Sequence, residues 1–287
     1  MNSRTPIQIL VTGAGGQLGQ CIRKIGGDYD NLEIYFADSK KLDITQKQKI
    51  ESLFIEKGFK VVINCAAYTN VEQAEKEPKK AFLINAEGAK NVAEVCKKHD
   101  AILIHISTDY VFDGKKRTPY TEEDVPNPIN EYGKSKLLGE KYIQEILEKF
   151  FIIRTSWLYS EYRHNFFKII LQKSNIEKQF TITNSEIGTP TNANDLAAFI
   201  LSLIRSNNKK YGIYHYSNQG ETTWYHFAKE ILRLSGKLGG IKLEKTDNYP
   251  TFAARPKYSV LSKEKIEKSL DMRVLRWQDS LEKLMNE

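Results

Sequence analysis

The segment IQILVTGAGGQLGQ, residues 7–20, restricts the fold more than any other stretch of this chain. A β-branched apolar run ends in glycine. Gly13, Gly16 and Gly19 follow at G-x-x-G-x-x-G spacing, and a helical pattern begins at once. Glycines there permit a tight turn and a close backbone approach, and the helix N-terminus offers free N–H donors and a favourable dipole. Strand, glycine loop and helix in that order predict a site for a dinucleotide pyrophosphate. The same alternation continues along the first half. LEIYFAD (32–38), VVINCAA (61–67), ILIHIST (102–108) and FIIRTSW (151–157) are short, nearly continuous apolar runs, separated by longer helical patterns. Runs of that kind are buried on both faces of a parallel sheet, so an α/β fold with a doubly wound parallel sheet is expected.

Beyond about residue 158 the pattern loses regularity. Residues 195–206 and 223–236 read as helices and 212–218 as one more strand, whereas YPTFAARPKYSVLS (249–262) is too rich in proline for a continuous helix. The expected organisation is a dinucleotide-binding domain over 1–157 and a smaller, mainly substrate-binding α/β portion over 158–287, with 190–218 returning to the first sheet.

Composition excludes several classes. Hydrophobic residues make up 40% and charged residues 28% of the 287 residues, as in ordinary globular chains. No apolar run approaches the ~20 residues that cross a bilayer. The start, MNSRTPIQILVTG, lacks an apolar stretch followed by a small-residue cleavage site, so a cytoplasmic address and no membrane partner are expected. Cys21, Cys65 and Cys96 are widely spaced, as in reduced core thiols. The net charge of +7 is scattered rather than gathered into a stripe interleaved with aromatics, which argues against nucleic acid and suits a small anionic ligand.

Three further features carry chemistry. Asp38 closes the second strand, nineteen residues past Gly19, where a carboxylate accepts hydrogen bonds from ribose hydroxyls and repels a 2′-phosphate. That favours NADH, while Lys40 and Lys41 offset the repulsion, so NADH and NADPH both stay open. In NEYGKSKLLGEK (130–141), Tyr132 and Lys136 are one helical turn apart on one face. Reduction of a ketone needs a proton for the developing alkoxide. A phenol of pKa ~10 gives it more readily beside an ammonium that lowers that value. Thr108, next to Ser107 at the end of a strand, is placed to bind a substrate carbonyl, because ligands of doubly wound sheets bind beyond the carboxyl ends of the strands.

The glycine loop, NCAAYTNVEQAE, STDYVFDG, YGKSK, RTSWLY and ARPKYSVLS occur in the order and spacing of the extended short-chain dehydrogenase/reductase family. From residue 7 to the end the chain resembles its nucleotide-sugar reductases. The resemblance implies a Rossmann-type domain in which Tyr132 is the proton donor, Lys136 its pKa partner and cofactor-ribose ligand, and Thr108 the carbonyl partner. It places Gly16, Gln17 and Leu18 along the pyrophosphate, Asp43 and Ile44 near the adenine, and Ala67, Tyr68 and Thr69 beneath the nicotinamide half. Asp109, Trp157 and the Arg255 region would face a nucleotide-sugar substrate, and a guanidinium suits a diphosphate through paired hydrogen bonds. Two alternatives are an epimerase or 4,6-dehydratase of nucleotide sugars, and a non-catalytic subunit resembling the regulatory subunit of methionine adenosyltransferase. Dehydratases carry Asp-Glu after the Ser/Thr, where this chain has Asp109-Tyr110, and an intact Thr108–Tyr132–Lys136 set points to turnover. Some family members form dimers around magnesium held by glutamates. The matching positions here are Cys21, Asn194 and Glu287, two of which replace a carboxylate by a thiol or an amide. Hard cations prefer carboxylate oxygens. No structural metal is therefore expected, and the chain is expected as a monomer or as a dimer held without metal.

Overall fold

The computed structural model describes residues 5–286. Its centre is a six-stranded parallel sheet. Strands β1 (Ile7–Thr12), β2 (Leu32–Ala37), β3 (Val61–Asn64), β4 (Ile102–Thr108) and β5 (Phe150–Thr155) alternate with helices α1 (Gln17–Gly26), α2 (Lys47–Lys57), α3 (Val71–Lys76), α4 (Pro78–Phe82), α5 (Gly88–Lys98) and α6 (Glu131–Ile146). The chain then runs through β6 (Leu158–Tyr159), α7 (Phe166–Ile176), β7 (Gln179–Thr183), β8 (Ile187–Gly188), β9 (Thr191–Asn192) and α8 (Ala193–Arg205) before β10 (Gly212–His215). The sheet order is β10-β5-β4-β3-β1-β2, every neighbouring pair being parallel. The strand order reverses between β1 and β3, and that crevice is where doubly wound sheets bind ligands.

Burial explains the apolar runs. All four residues of β3 are buried, and in β4 only Ile102 and Ile106 are less than fully covered. One face of the sheet packs on α1 and α8 through Ile9, Val11, Ile22, Leu196 and Ile200, and the other on α2, α5 and α6 through Leu10, Phe54, Val92 and Ile143. The remaining elements are β11 (Thr222–Thr223), α9 (Trp224–Leu234), β12 (Lys242–Thr246), α10 (Glu264–Leu270) and α11 (Trp277–Asn286). A third core joins α7, α9 and α11 to the β7–β12 pair through Phe167, Ile170, Phe227, Ile231 and Leu281. Strand β10 and helix α8 thus belong with the large sheet, while α7 and β7 before them and α9, β12 and α11 after them build the smaller core.

Two local features bear on the site. Helix α6 begins at Glu131, so Tyr132 and Lys136 share a helical face as their spacing predicts, and the Asn130 side chain accepts from Gly133 N at 2.7 Å and caps it. Between α4 and α5 the helical path is broken by a π turn over Leu83–Glu87. That turn aims Asn85 at the loop after β3, where its amide accepts from Tyr68 N (2.8 Å) and donates to Tyr68 O (3.0 Å) and Ser135 Oγ (2.9 Å). A π turn costs helical hydrogen bonding and persists where a side chain must be re-aimed.

Candidate active site

The glycine loop forms as its spacing requires. Gly13 has φ +62°, and a Cβ there would fall 2.5 Å from Ala66 N. Only a residue without a side chain lets β1 and β3 exit so close together. Gly16 caps α1 and has no side chain to take up the helix's first N–H groups. This is the donor set an anion needs. Beside it lies a pocket of ≈ 370 Å³ lined in part by Gly15, Arg23, Asp38, Lys41 and Arg163. The cradle and its cations suit a dinucleotide. The Asp38 carboxylate accepts from Lys40 N (3.1 Å) and Lys41 N (3.0 Å), and the bond from Lys41 is the main cause holding it below the usual range. Arg163 reaches from the loop after β6 to donate Nε–H to Gly15 O at 2.5 Å. Nothing in the sequence marks it, since it approaches the loop from 148 residues away.

Gln17 is engaged by the segment after β6, its Oε1 accepting from Ser160 Oγ (3.1 Å) and Asn165 Nδ2 (2.9 Å). Leu18 and Ile44 are buried in the two cores, so either can meet a ligand only through its backbone. Asp43 closes its own turn onto Thr45 N (2.9 Å) and Thr45 Oγ1 (2.8 Å). Ala67, Tyr68 and Thr69 line the exit of β3, with Tyr68 pinned by Asn85.

Thr108 ends β4, and its Oγ1 accepts from Tyr110 N at 3.2 Å. Helix α6 comes very close to this point, because Gly133 packs on Tyr110 O, where a Cβ would stand 2.2 Å away. Contact at that range sets Tyr132 against the strand end, its ring edge-on to Tyr110 at 5.8 Å between centroids and its phenol beside the Thr108 hydroxyl. Burial pushes the Tyr132 phenol up to about 12, the Thr108 hydroxyl working against this. The lowering expected from Lys136 is absent in the ligand-free chain. The Lys136 amine points instead to Ile106 O (2.6 Å) and His105 Nε2 (3.2 Å), and its burial brings it down to about 8. Asp109 is buried with Oδ2 lacking a hydrogen-bond partner among the described residues, and burial raises its carboxyl to about 7.

The substrate side shows two unforeseen partnerships. Trp157, in the left-handed region at φ +46°, stacks on Trp224 with 3.7 Å between ring centroids. Trp224 donates to Glu186 at 2.8 Å. Arg255 pairs with Glu72 at 2.8 Å, while its Nε is buried without a partner among the described residues. Glu72 also accepts from Phe252 N (2.8 Å) and Ala253 N (3.1 Å), which fastens the proline-rich loop to α3. Glu72, Asn85, His105, Glu186 and Trp224 were not legible as site residues, because each acts on a partner far away in sequence.

The family described as RmlD substrate binding domain matches residues 7–287. The chain belongs to this family. A dTDP-4-dehydrorhamnose reductase of Aggregatibacter actinomycetemcomitans is 36% identical over 96% of this chain and 98% of that protein. Crystal structures of two such reductases also match. The one from Clostridium acetobutylicum is 39% identical with TM-score 0.92, and covers 98% of this chain and 99% of that one. The one from Bacillus anthracis, solved in complex with NADP, is 36% identical with TM-score 0.94 and the same coverage.

The metal positions of the resemblance are occupied as follows in this RmlD-family chain. Cys21 is buried and burial raises its thiol to about 12. Asn194 donates to Glu161 at 2.9 Å. Glu287 lies outside the described residues. Among the described residues no cluster of three or more His, Cys, Asp or Glu side chains is arranged to hold a metal, and no helix is long and apolar enough to cross a membrane.

Proposed function

We propose that this chain reduces the C4 ketone of dTDP-4-dehydro-L-rhamnose with NADH or NADPH, giving dTDP-L-rhamnose. The observation that carries the reading is Tyr132 beside Thr108 at the carboxyl end of β4, with Lys136 one turn along α6 and its amine on Ile106 of the same strand, in a chain of this family. A reduced nicotinamide bound along that loop supplies the hydride. Tyr132 then gives its phenolic proton to the alkoxide oxygen, Thr108 holds that oxygen, and Lys136 is the proton partner of Tyr132. Asp109, Trp157 and Arg255 serve the nucleotide-sugar, with Arg255 exchanging Glu72 for the diphosphate. The division of labour follows the two cores: 1–157 with β10 for the cofactor, and most of 158–287 for the substrate. Tyr110 supports reduction over dehydration, because the position after Asp109 holds a half-buried ring packed on Tyr132 rather than a second carboxyl. Cofactor oxidation on addition of the keto sugar is the test. No oxidation by a folded, cofactor-binding protein would favour the non-catalytic alternative.

Cofactor choice turns on a contest inside the ≈ 370 Å³ pocket, where Asp38 faces Arg23, Lys41 and Arg163. Asp38→Ser removes the negative charge and keeps a short polar side chain. The expected outcome is a higher ratio of kcat/KM for NADPH to that for NADH. An unchanged ratio would mean that the three cations alone set the choice.

The same reading has no metal-bridged dimer. Cys21 is a protonated thiol near neutrality, and Asn194 brings an amide in place of a carboxylate. The size in solution is therefore expected to be the same with EDTA and with added Mg²⁺. A dimer that dissociates in EDTA and reforms with Mg²⁺ would refute this. Three free thiols and a need for reduced nicotinamide support a cytoplasmic address.

A further inference from the structure

Behind Lys136 runs a buried polar chain that reaches across three strands of the sheet. Lys136 Nζ lies 3.2 Å from His105 Nε2, His105 Nδ1 lies 3.1 Å from Asn64 Nδ2, and Thr12 Oγ1 donates to Asn64 Oδ1 at 2.7 Å. All four residues are buried to within 1% of full coverage. Groups this far from solvent must satisfy one another, so the sense of each hydrogen bond can be worked out.

The backbone supplies the fixed point. Ala66 N can only donate, and it donates to Asn64 Oδ1 at 3.2 Å. This identifies the oxygen of the Asn64 amide and leaves its NH₂ facing His105. His105 Nδ1 must then accept, so the neutral ring carries its proton on Nε2, directed at Lys136. An ammonium has three donors and no acceptor. A protonated Lys136 would therefore set N–H against N–H at 3.2 Å in the dry interior. A protonated His105 would add a second clash at Asn64. A neutral amine beside a neutral ring avoids both conflicts: the lone pair of Lys136 accepts from His105 Nε2–H, and the amine still donates to Ile106 O at 2.6 Å.

We propose that Asn64 locks His105 as its Nε2–H tautomer and that His105 in turn holds Lys136 as a neutral amine in the ligand-free protein. His105 and Asn64 are then positioning residues for the Tyr132–Lys136 pair. The groups facing Lys136 are His105 from β4, Cys65 after β3 and Glu140 one turn along α6. Cys65 and Glu140 favour the ammonium, and burial outweighs them. His105 is itself driven far below its usual range by burial, with Lys136 acting in the same direction. In this state the amine lends the Tyr132 phenol no neighbouring positive charge, in keeping with its raised position; a proton gained by Lys136 would make the phenol the readier donor.

This inference rests on reading Lys136 as the partner of Tyr132, but its test requires no turnover. Ring ¹⁵N shifts of His105 and side-chain shifts of Lys136 are followed against pH in the ligand-free full chain, with His105→Gln and Lys136→Arg used for assignment. We expect His105 to be protonated on Nε2 only, and Lys136 to titrate at or below about 8, against ~10.4 for free lysine. Asn64→Asp reverses the chain: its carboxylate accepts from Nδ1–H, Nε2 becomes an acceptor, and Lys136 turns to ammonium. Its midpoint should rise by at least about one pH unit, a tenfold gain in proton affinity. A merely structural Asn64 would alter thermal stability and leave that midpoint in place. His105→Leu, which removes the donor to the amine, should also raise the midpoint and stands in should Asn64→Asp not fold. An Nδ1–H tautomer in the wild type, or Lys136 titrating like free lysine, overturns the proposal. Spectra as expected from a protein that oxidises no cofactor would instead overturn the reductase reading alone.

Discussion

Tyr132→Phe is expected to lower turnover about 10²–10⁴-fold, the range that removal of a positioned general acid produces. The ring should stay in place. It packs edge-on to Tyr110 at 5.8 Å, and the helix beneath it is held by the Asn130 cap and by the approach of Gly133 to Tyr110 O. The hydroxyl alone is lost, and with it the one phenol that lies beside the Thr108 hydroxyl. Cofactor affinity, read by fluorescence titration, should change little, because the glycine loop and its cations lie on other elements. Steady-state rates together with that titration decide the matter. A variant as fast as the wild type would remove Tyr132 from the mechanism, and one that neither binds cofactor nor melts cooperatively would show a structural role instead.

The largest effect on stability is expected from Glu140→Ala. Glu140 is fully buried on α6 and takes a two-pronged bond from Arg154 of β5, with Nε to Oε1 at 3.0 Å and Nη2 to Oε2 at 2.7 Å. Ser107 Oγ, one residue before Thr108, donates to the same carboxylate. Removing one partner of a buried pair leaves the other charge desolvated and unpaired, which costs about 3–5 kcal/mol. Arg154 would retain only a 3.4 Å contact with His215 Nε2 and its position over the Phe112 ring. Urea unfolding measures the loss. By contrast, cutting the exposed Lys149–Asp100 pair should change stability by no more than about 1 kcal/mol. Equal losses from the two substitutions would show that burial is not what makes the Arg154–Glu140 pair matter. Because Glu140 sits one turn beyond Lys136 and also holds Ser107, partial unfolding at this pair should disturb Thr108 and Tyr132 together.

The sequence by itself determined the six strands of the large sheet, the glycine loop, the doubly wound arrangement and the end of β4 as the place where chemistry gathers. These rest on local physics. Continuous apolar runs have one stable burial, glycines at a strand–helix junction have few other uses, and a helical repeat puts residues four apart on one face. Tyr132 and Thr108 could be named on that basis, and so could Asp38. Only the tertiary structure decided how the charges around them are held. Asn85 re-aims itself through a π turn to fix Tyr68, Glu72 fastens the loop of Arg255, Trp224 covers Trp157, and Arg163 leans on the glycine loop from a remote turn. The spacing of Tyr132 and Lys136 predicts an ammonium beside a phenol. The fold turns the amine toward His105 and Ile106 instead, and burial raises the phenol. Hydrogen-bond sense and desolvation depend on which groups meet in the dry interior, and strands far apart in sequence bring those groups together.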